Sequence, residues 1–162
     1  MLLFLFLFGV ALGAEPPSDD QQVMLQQANC STSWNSFNGS CYKFVATRMT
    51  WADAELHCVS QRANLVSIHS LEENNFVESL IKNFERFPGH TWIGFSDIHK
   101  EGSWMWSDGS VVDFLLWDER RPDNAAGIEH CGHKNFKRGL KWNDGPCSNI
   151  FTFICAYNLN CP

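Results

Sequence analysis

The chain is short of positive charge, with 12 Lys and Arg against 18 Asp and Glu and a formal net charge of −6. That balance argues against a general nucleic-acid binder, which needs a basic face. The one short basic cluster, Lys134, Lys137, Arg138 and Lys141, reads as the solvated face of a hairpin. Internal repeats and low-complexity tracts are also missing, so the 162 residues are expected to hold one ordinary domain with one core. Beyond the opening residues no apolar run approaches the ~20 residues needed to cross a bilayer, so membrane insertion is not expected.

The opening run Leu2-Leu3-Phe4-Leu5-Phe6-Leu7-Phe8, followed by small residues through Ala14, has the length of a signal-peptide apolar region. Residues 1–14 are therefore expected to be a signal peptide cleaved after Gly13 or Ala14, although no Lys or Arg precedes the apolar run. The mature chain is expected to be secreted and extracellular. Seven cysteines fit that route, because disulfides persist in oxidising compartments. So do two glycosylation acceptors, Asn29-Cys30-Ser31 and Asn38-Gly39-Ser40.

Residues 15–29 are polar and proline-bearing and read as a leader outside the core, with a short association helix over Gln21–Gln27 as one reading. All seven tryptophans lie beyond Cys30, where the domain is expected to begin. Ser40–Thr47 reads as a strand. Thr50 with Asp53 marks a helix start, followed by Trp51, Ala54, Cys58 and Val59 at helical spacing. Leu65–Ile68 reads as a short strand. Ser70 with Glu73 forms a capping box, the glutamate expected to reach back to the serine amide, and Phe76, Val77, Leu80, Ile81 and Phe84 make an apolar stripe. The second half offers short strands at Thr91–Phe95, Trp104–Trp106, His130–Asn135, Leu140–Asn143 and Phe151–Tyr157. Between the second and third of these lies an irregular segment, about residues 107–129, whose length points to a binding loop.

Cysteine spacing alone does not give connectivity. The ordered landmarks Cys41, Cys58, "WIGF" at 92–95, "WSDG" at 106–109, "RPD" at 121–123, "EHC" at 129–131, "KWNDGPC" at 141–147 and "FICAY" at 153–157 resemble those of C-type lectin domains. The pattern is most similar to the small secreted lectins of fish, galactose- or lactose-binding, and to type II antifreeze proteins. The resemblance spans about residues 30–157 and leaves 158–162 as a tail. It implies an α+β fold of two helices packed on short antiparallel sheets, with a long irregular binding loop. It also implies disulfides Cys30–Cys41, Cys58–Cys155 and Cys131–Cys147. Cys161 is left over, for an interchain disulfide in a homodimer or for a capped thiol.

In that family the residues flanking the loop proline, a glutamate eight positions after the first of them, and a later Asn-Asp pair hold calcium and sugar together. Here those positions are Arg121, Asp123, Glu129, Asn143 and Asp144. Asp123, Glu129, Asn143 and Asp144 are suitable oxygen donors for calcium, but the Arg121 guanidinium neither coordinates a cation nor accepts a hydrogen bond. Held about 5 Å from a divalent ion it would repel it by roughly 6–7 kcal/mol at an effective dielectric of about 20, and by under about 2 kcal/mol in bulk water. Extracellular calcium modules gain only about 4–5.5 kcal/mol on binding. An inward arginine would abolish calcium binding and an outward one would weaken it, so both readings stand. In the inward pose Arg121 would supply the positive charge itself. A second calcium position of the family is matched by Asp97, Glu101 and Glu129, with Asn124 and His130 where carboxylates are expected; Asp97 and Glu101 also read as solvated turn residues.

Arg-Pro-Asp keeps the acid of the family's galactose version, Gln-Pro-Asp, so the resemblance favours galactosides among terminal sugars. No aromatic lies in 124–128; Trp117 and Phe136 are nearest, and core packing is the plainer reading for Trp117 and for Trp142. No enzyme is expected: His130-Cys131-Gly132-His133 lacks a second ligand pair for zinc, and the resemblance places Cys131 in a disulfide. Two alternatives remain, a sugar-blind domain that binds a protein partner and an ice-binding protein. The heavy charge of residues 118–138 is unlike the flat, sparsely charged surface that ice binding wants.

Overall fold

The computed structural model describes residues 29–87, 89–134, 139 and 141–160. Residues 1–14, most of the leader including Gln21–Gln27, Phe136, Lys137, Arg138 and Cys161 lie outside them. Strand β1 (Asn35–Phe37) turns through Asn38, at φ 44°, into β2 (Ser40–Met49). Helix α1 (Trp51–Ser60) starts where the Thr50 hydroxyl accepts the Asp53 amide, and it buries Trp51, Ala54 and Cys58. Val59, at the edge of the expected face, is half exposed. After β3 (Asn64–Leu65), helix α2 (Leu71–Phe84) is capped by Ser70, which accepts from the Glu73 amide at 3.1 Å.

The Glu73 carboxylate accepts from the His69 amide at 2.6 Å and the Tyr42 hydroxyl at 2.6 Å, one residue beyond the capping-box expectation. It thereby ties the helix start to β2. Val77, Leu80 and Ile81 are buried, whereas Phe84 is 60% exposed and stacks on Phe44.

The remaining strands are β4 (Thr91–Ser96), β5 (Met105–Trp106), β6 (Glu129–Lys134), β7 (Trp142–Pro146) and β8 (Phe151–Asn158). They join the first three in one hydrogen-bonded network, ordered β1-β2-β8-β4-β6-β7, with β3 on β8 and β5 on β4. Among the named strands every pairing is antiparallel except β4 with β8. Only Leu65 of the expected strand Leu65–Ile68 lies in β3. Val66 instead donates to Ile154 and accepts from Gly94, bridging two strands without extending either. Gly94 permits this approach: a Cβ there would stand 2.6 Å from the Leu65 carbonyl oxygen.

Three disulfides close, Cys30–Cys41, Cys58–Cys155 and Cys131–Cys147. They span 11, 97 and 16 residues. In the chain-entropy account the longest contributes about 4–5 kcal/mol and the last about 3. One apolar cluster centres on Phe95, Trp106 and Trp142, the other on Trp51, Trp92 and Phe153 around Cys58, Cys131 and Cys155.

Lys134 overturns the reading of its cluster as a solvated face, since it is 2% exposed. Its ammonium lies 3.3 Å from Glu78 and donates to Asn74 at 2.8 Å, with the Trp142 indole N–H sharing that acceptor. A lysine on the inward face of β6 stays inside because α2 brings a carboxylate and an amide to meet it. Lys141 is exposed.

Candidate functional site

The irregular loop is held down before it reaches the candidate residues. The Trp142 amide donates to Leu116 and the Asp118 amide donates back to Trp142, at 2.8 and 2.7 Å. Phe114, Leu116 and Trp117 pack against the core. The chain then turns through a cis Arg121–Pro122 bond, and Asn124 takes a left-handed conformation at φ 43°, which asparagine tolerates. A short 3-10 turn (Ala125–Gly127) leads into β6 at Glu129.

Asp144 on β7 fixes this turn from beneath. Fully buried, its carboxylate accepts from the Asp123 amide at 3.1 Å and the Asn124 amide at 2.7 Å. Glu129 accepts from the Ala125 amide at 3.2 Å, and the Asn124 side chain accepts from the Glu129 amide at 3.0 Å. Carboxylate oxygens of Asp123, Glu129 and Asp144 consequently lie within 4.8 Å of one another. Burial raises the Glu129 pKa, and the charges of Asp144 and Asp123 raise it further.

Arg121 points into this acidic group. Its Nη1 donates to Asp123 Oδ1 at 2.6 Å and stands 4.0 Å from Glu129 Oε2. Asn143, the remaining candidate, has a buried Oδ1 with no hydrogen-bond partner among the described residues. An orphaned buried acceptor is what an oxygen-coordinated cation could satisfy, so together with the three carboxylates the donor set fits calcium by chemistry. The guanidinium does not fit: an ion on these oxygens and Arg121 in this pose would repel strongly. The residues could hold a metal once Arg121 turns away.

The second group sits alongside. Asp97, 2% exposed, accepts from the Gly102 amide and from His130 Nδ1, which also lies 3.2 Å from Glu101. Asp97 is therefore not a solvated turn residue, whereas Glu101 is exposed. The Asp97 hydrogen bond raises the His130 pKa against the opposing effect of burial, and the charges of Asp97 and Glu101 raise it further. Glu129 groups with Asp123 and Asp144, while Asp97 and Glu101 group with His130.

A cavity of about 200 Å³ joins the two groups, lined by Asp97, Glu101, Pro122, Asp123 and Asp144, with Trp104 on its wall. Trp104 is the aromatic that sequence reasoning passed over. Nothing in its spacing separates it from Trp106, which is buried. Trp117 stacks on Phe95 and meets Trp104 edge-on, and Trp142 is fully buried, so both serve the core.

The Lectin C-type domain pattern matches residues 47–157. The chain belongs to the C-type lectin domain family. That family comprises non-enzymatic carbohydrate-binding proteins. Galactose-specific lectin nattectin of Thalassophryne nattereri is 39% identical over 132 residues, covering 82% of this chain and 82% of that protein. Among solved structures, C-type lectin CEL-I of Cucumaria echinata is similar with a TM-score of 0.76 and 33% identity, over 78% of this chain and 96% of that one. A calcium-independent type II antifreeze protein is similar at a TM-score of 0.73 and 32% identity, over 80% and 95%. Two helices on a stapled sheet with a long loop make up the C-type lectin fold of this chain.

Proposed function

We propose that this C-type lectin domain binds terminal sugars, galactosides ahead of mannosides, at Arg121, Asp123, Glu129, Asn143 and Asp144, with weak or absent dependence on calcium. The observation that carries the reading is the Arg121 guanidinium seated 2.6 Å from Asp123 and 4.0 Å from Glu129. Acidic oxygens accept from sugar hydroxyls and the guanidinium donates to them, so vicinal hydroxyls meet both hydrogen-bonding roles without an ion. A calcium ion, when bound, would be held by Asp123, Glu129, Asn143 and Asp144 and would polarise the same hydroxyls. The acid at position 123 and the galactose specificity in the name of the fish relative support the sugar preference.

The protein is secreted on this reading, carries glycans at Asn29 or Asn38, and pairs through Cys161 into a dimer that crosslinks glycan-bearing surfaces. Two linked sites raise avidity by roughly 10²–10⁴ over one. Retention on lactose and mannose columns, with and without chelator, tests the site for wild type and Arg121→Gln. Wild type should hold lactose in chelator, and Arg121→Gln should hold more tightly with calcium and release with chelator. Complete release of the wild type by chelator would sink the reading. The likeness to a calcium-independent antifreeze protein gives a second reading, ice binding. Thermal hysteresis without sugar capture would favour it, and a blank glycan array with neither would favour a protein partner.

A further inference from the structure

The first hairpin of the domain carries the glycosylation acceptor Asn38-Gly39-Ser40 at its tip. Asn38 and Gly39 form a two-residue connection at φ 44° and 79°, and Phe37 pairs directly with Ser40 across it. Positive φ at both central residues marks a type I′ turn, the hairpin that Asn-Gly favours. The Leu159 amide donates to the Gly39 carbonyl at 2.9 Å, which fixes the turn from outside. Asn38 itself is exposed, so its side-chain nitrogen has room for a bulky substituent.

Beside the turn lies a cavity of about 290 Å³, which shares no lining residue with the one at the candidate sugar site. Phe37, Asn38 and Ser40 all open onto it, and Tyr42, His69 and Glu73 make up most of the remaining wall. Phe76 stacks on Phe37 with ring centres 4.5 Å apart, so the half-buried Phe37 ring is held in place. The Glu73 carboxylate is equally fixed, by the Tyr42 hydroxyl and the His69 amide. An aromatic ring beside fixed polar groups suits a pyranose, whose C–H face packs on the ring while its hydroxyl and acetamido groups find hydrogen-bond partners. The volume stands at the lower edge of small-ligand sites, about 300–1,000 Å³, enough for one monosaccharide. A sugar joined to Asn38 would meet this cavity at an effective concentration on the order of millimolar.

We infer that Asn38 is N-glycosylated and that its first N-acetylglucosamine seats against Phe37 in this cavity, fastening the β1–β2 hairpin to the start of α2. This rests on the secreted reading of the chain, because the glycan is transferred in the secretory route. The transfer forms a bond from Asn38 Nδ2 to the sugar C1 as the C1–O bond to a lipid pyrophosphate donor breaks. The amide gives up one proton and the pyrophosphate leaves.

The test uses the full chain, secreted from cells that make high-mannose glycans, with Asn29→Gln in every sample so that Asn38 is the one remaining acceptor triplet. Melting is compared for the intact protein, for protein trimmed by endoglycosidase H to the first sugar, and for protein stripped by peptide N-glycosidase. The trimmed form should melt with the intact one, and the stripped form about 2–6 °C lower, the worth of one aromatic contact. Stripping leaves aspartate at position 38, so Asn38→Gln serves as a second glycan-free form and should melt with the stripped one. In Phe37→Leu, which keeps an apolar side chain against Phe76 and removes the ring, stripping should leave melting unchanged. Nuclear Overhauser contacts between the first sugar and the Phe37 ring should appear in the trimmed wild type, a reading that needs no change at Phe37. Equal melting of trimmed and stripped protein, or an equal loss on stripping in wild type and Phe37→Leu, overturns this inference. Secreted protein whose mass shows no glycan at Asn38 overturns it as well and leaves the secreted reading standing; a chain retained in the cell overturns both.

Discussion

Replacing Arg121 by glutamine removes the cation from the acidic group and adds an amide oxygen, a ligand type that calcium accepts. For calcium to enter the wild type, Arg121 must leave Asp123 and Glu129. With its side chain 30% exposed, that pair is worth about 0–1 kcal/mol. The displaced guanidinium still repels the ion by under about 2 kcal/mol through water. The variant escapes both costs, so its calcium affinity should exceed the wild type's by up to about 3 kcal/mol, roughly 150-fold at most. Calorimetric titration of chelator-stripped protein reads this directly. Equal dissociation constants in the two proteins would show that the guanidinium does not compete for the ion, and would refute the reasoning.

Burial of His133 favours its neutral form in the fold, so its contribution to stability is present above its ordinary value of 6.5 and is lost as pH falls toward about 4. The loss is about 3 kcal/mol, and the decline in melting temperature over that window should be shallower in His133→Phe than in wild type. Glu78→Ala would leave the Lys134 ammonium buried without its carboxylate and should cost about 3–5 kcal/mol in urea unfolding. Glu78→Leu combined with Lys134→Met should cost less than either single change. Losing Cys58–Cys155 through paired alanines should cost about 4–5 kcal/mol and losing Cys131–Cys147 about 3, measured by the same unfolding.

Local chemistry made the helix starts readable. A hydroxyl at Thr50 or Ser70 with an acid three residues on shows itself within four residues of sequence, and both caps form. Strand positions were readable to within a few residues, apart from β1 (Asn35–Phe37), which no expected strand covered. Their pairing was not, because β4 meets β8 in parallel across some sixty residues, and no local pattern carries that register. The polar residues of α2 show the same limit. Asn74 and Glu78 look like a solvent face until Lys134 and Trp142 are brought against them from the other half of the chain. At the candidate site, the resemblance supplied the residue types. The direction of Arg121 and the Trp104 wall depend on how a loop of little periodicity is pinned to β7.

Backbone amide shifts of the chelator-treated wild type, followed by NMR during a lactose titration, test the central claim most directly. The largest changes should fall on residues 121–129 and 143–144, and Asp123→Ala with Asn143→Ala should abolish them in a folded protein. Changes confined to another face, or no saturable change at all, would contradict it.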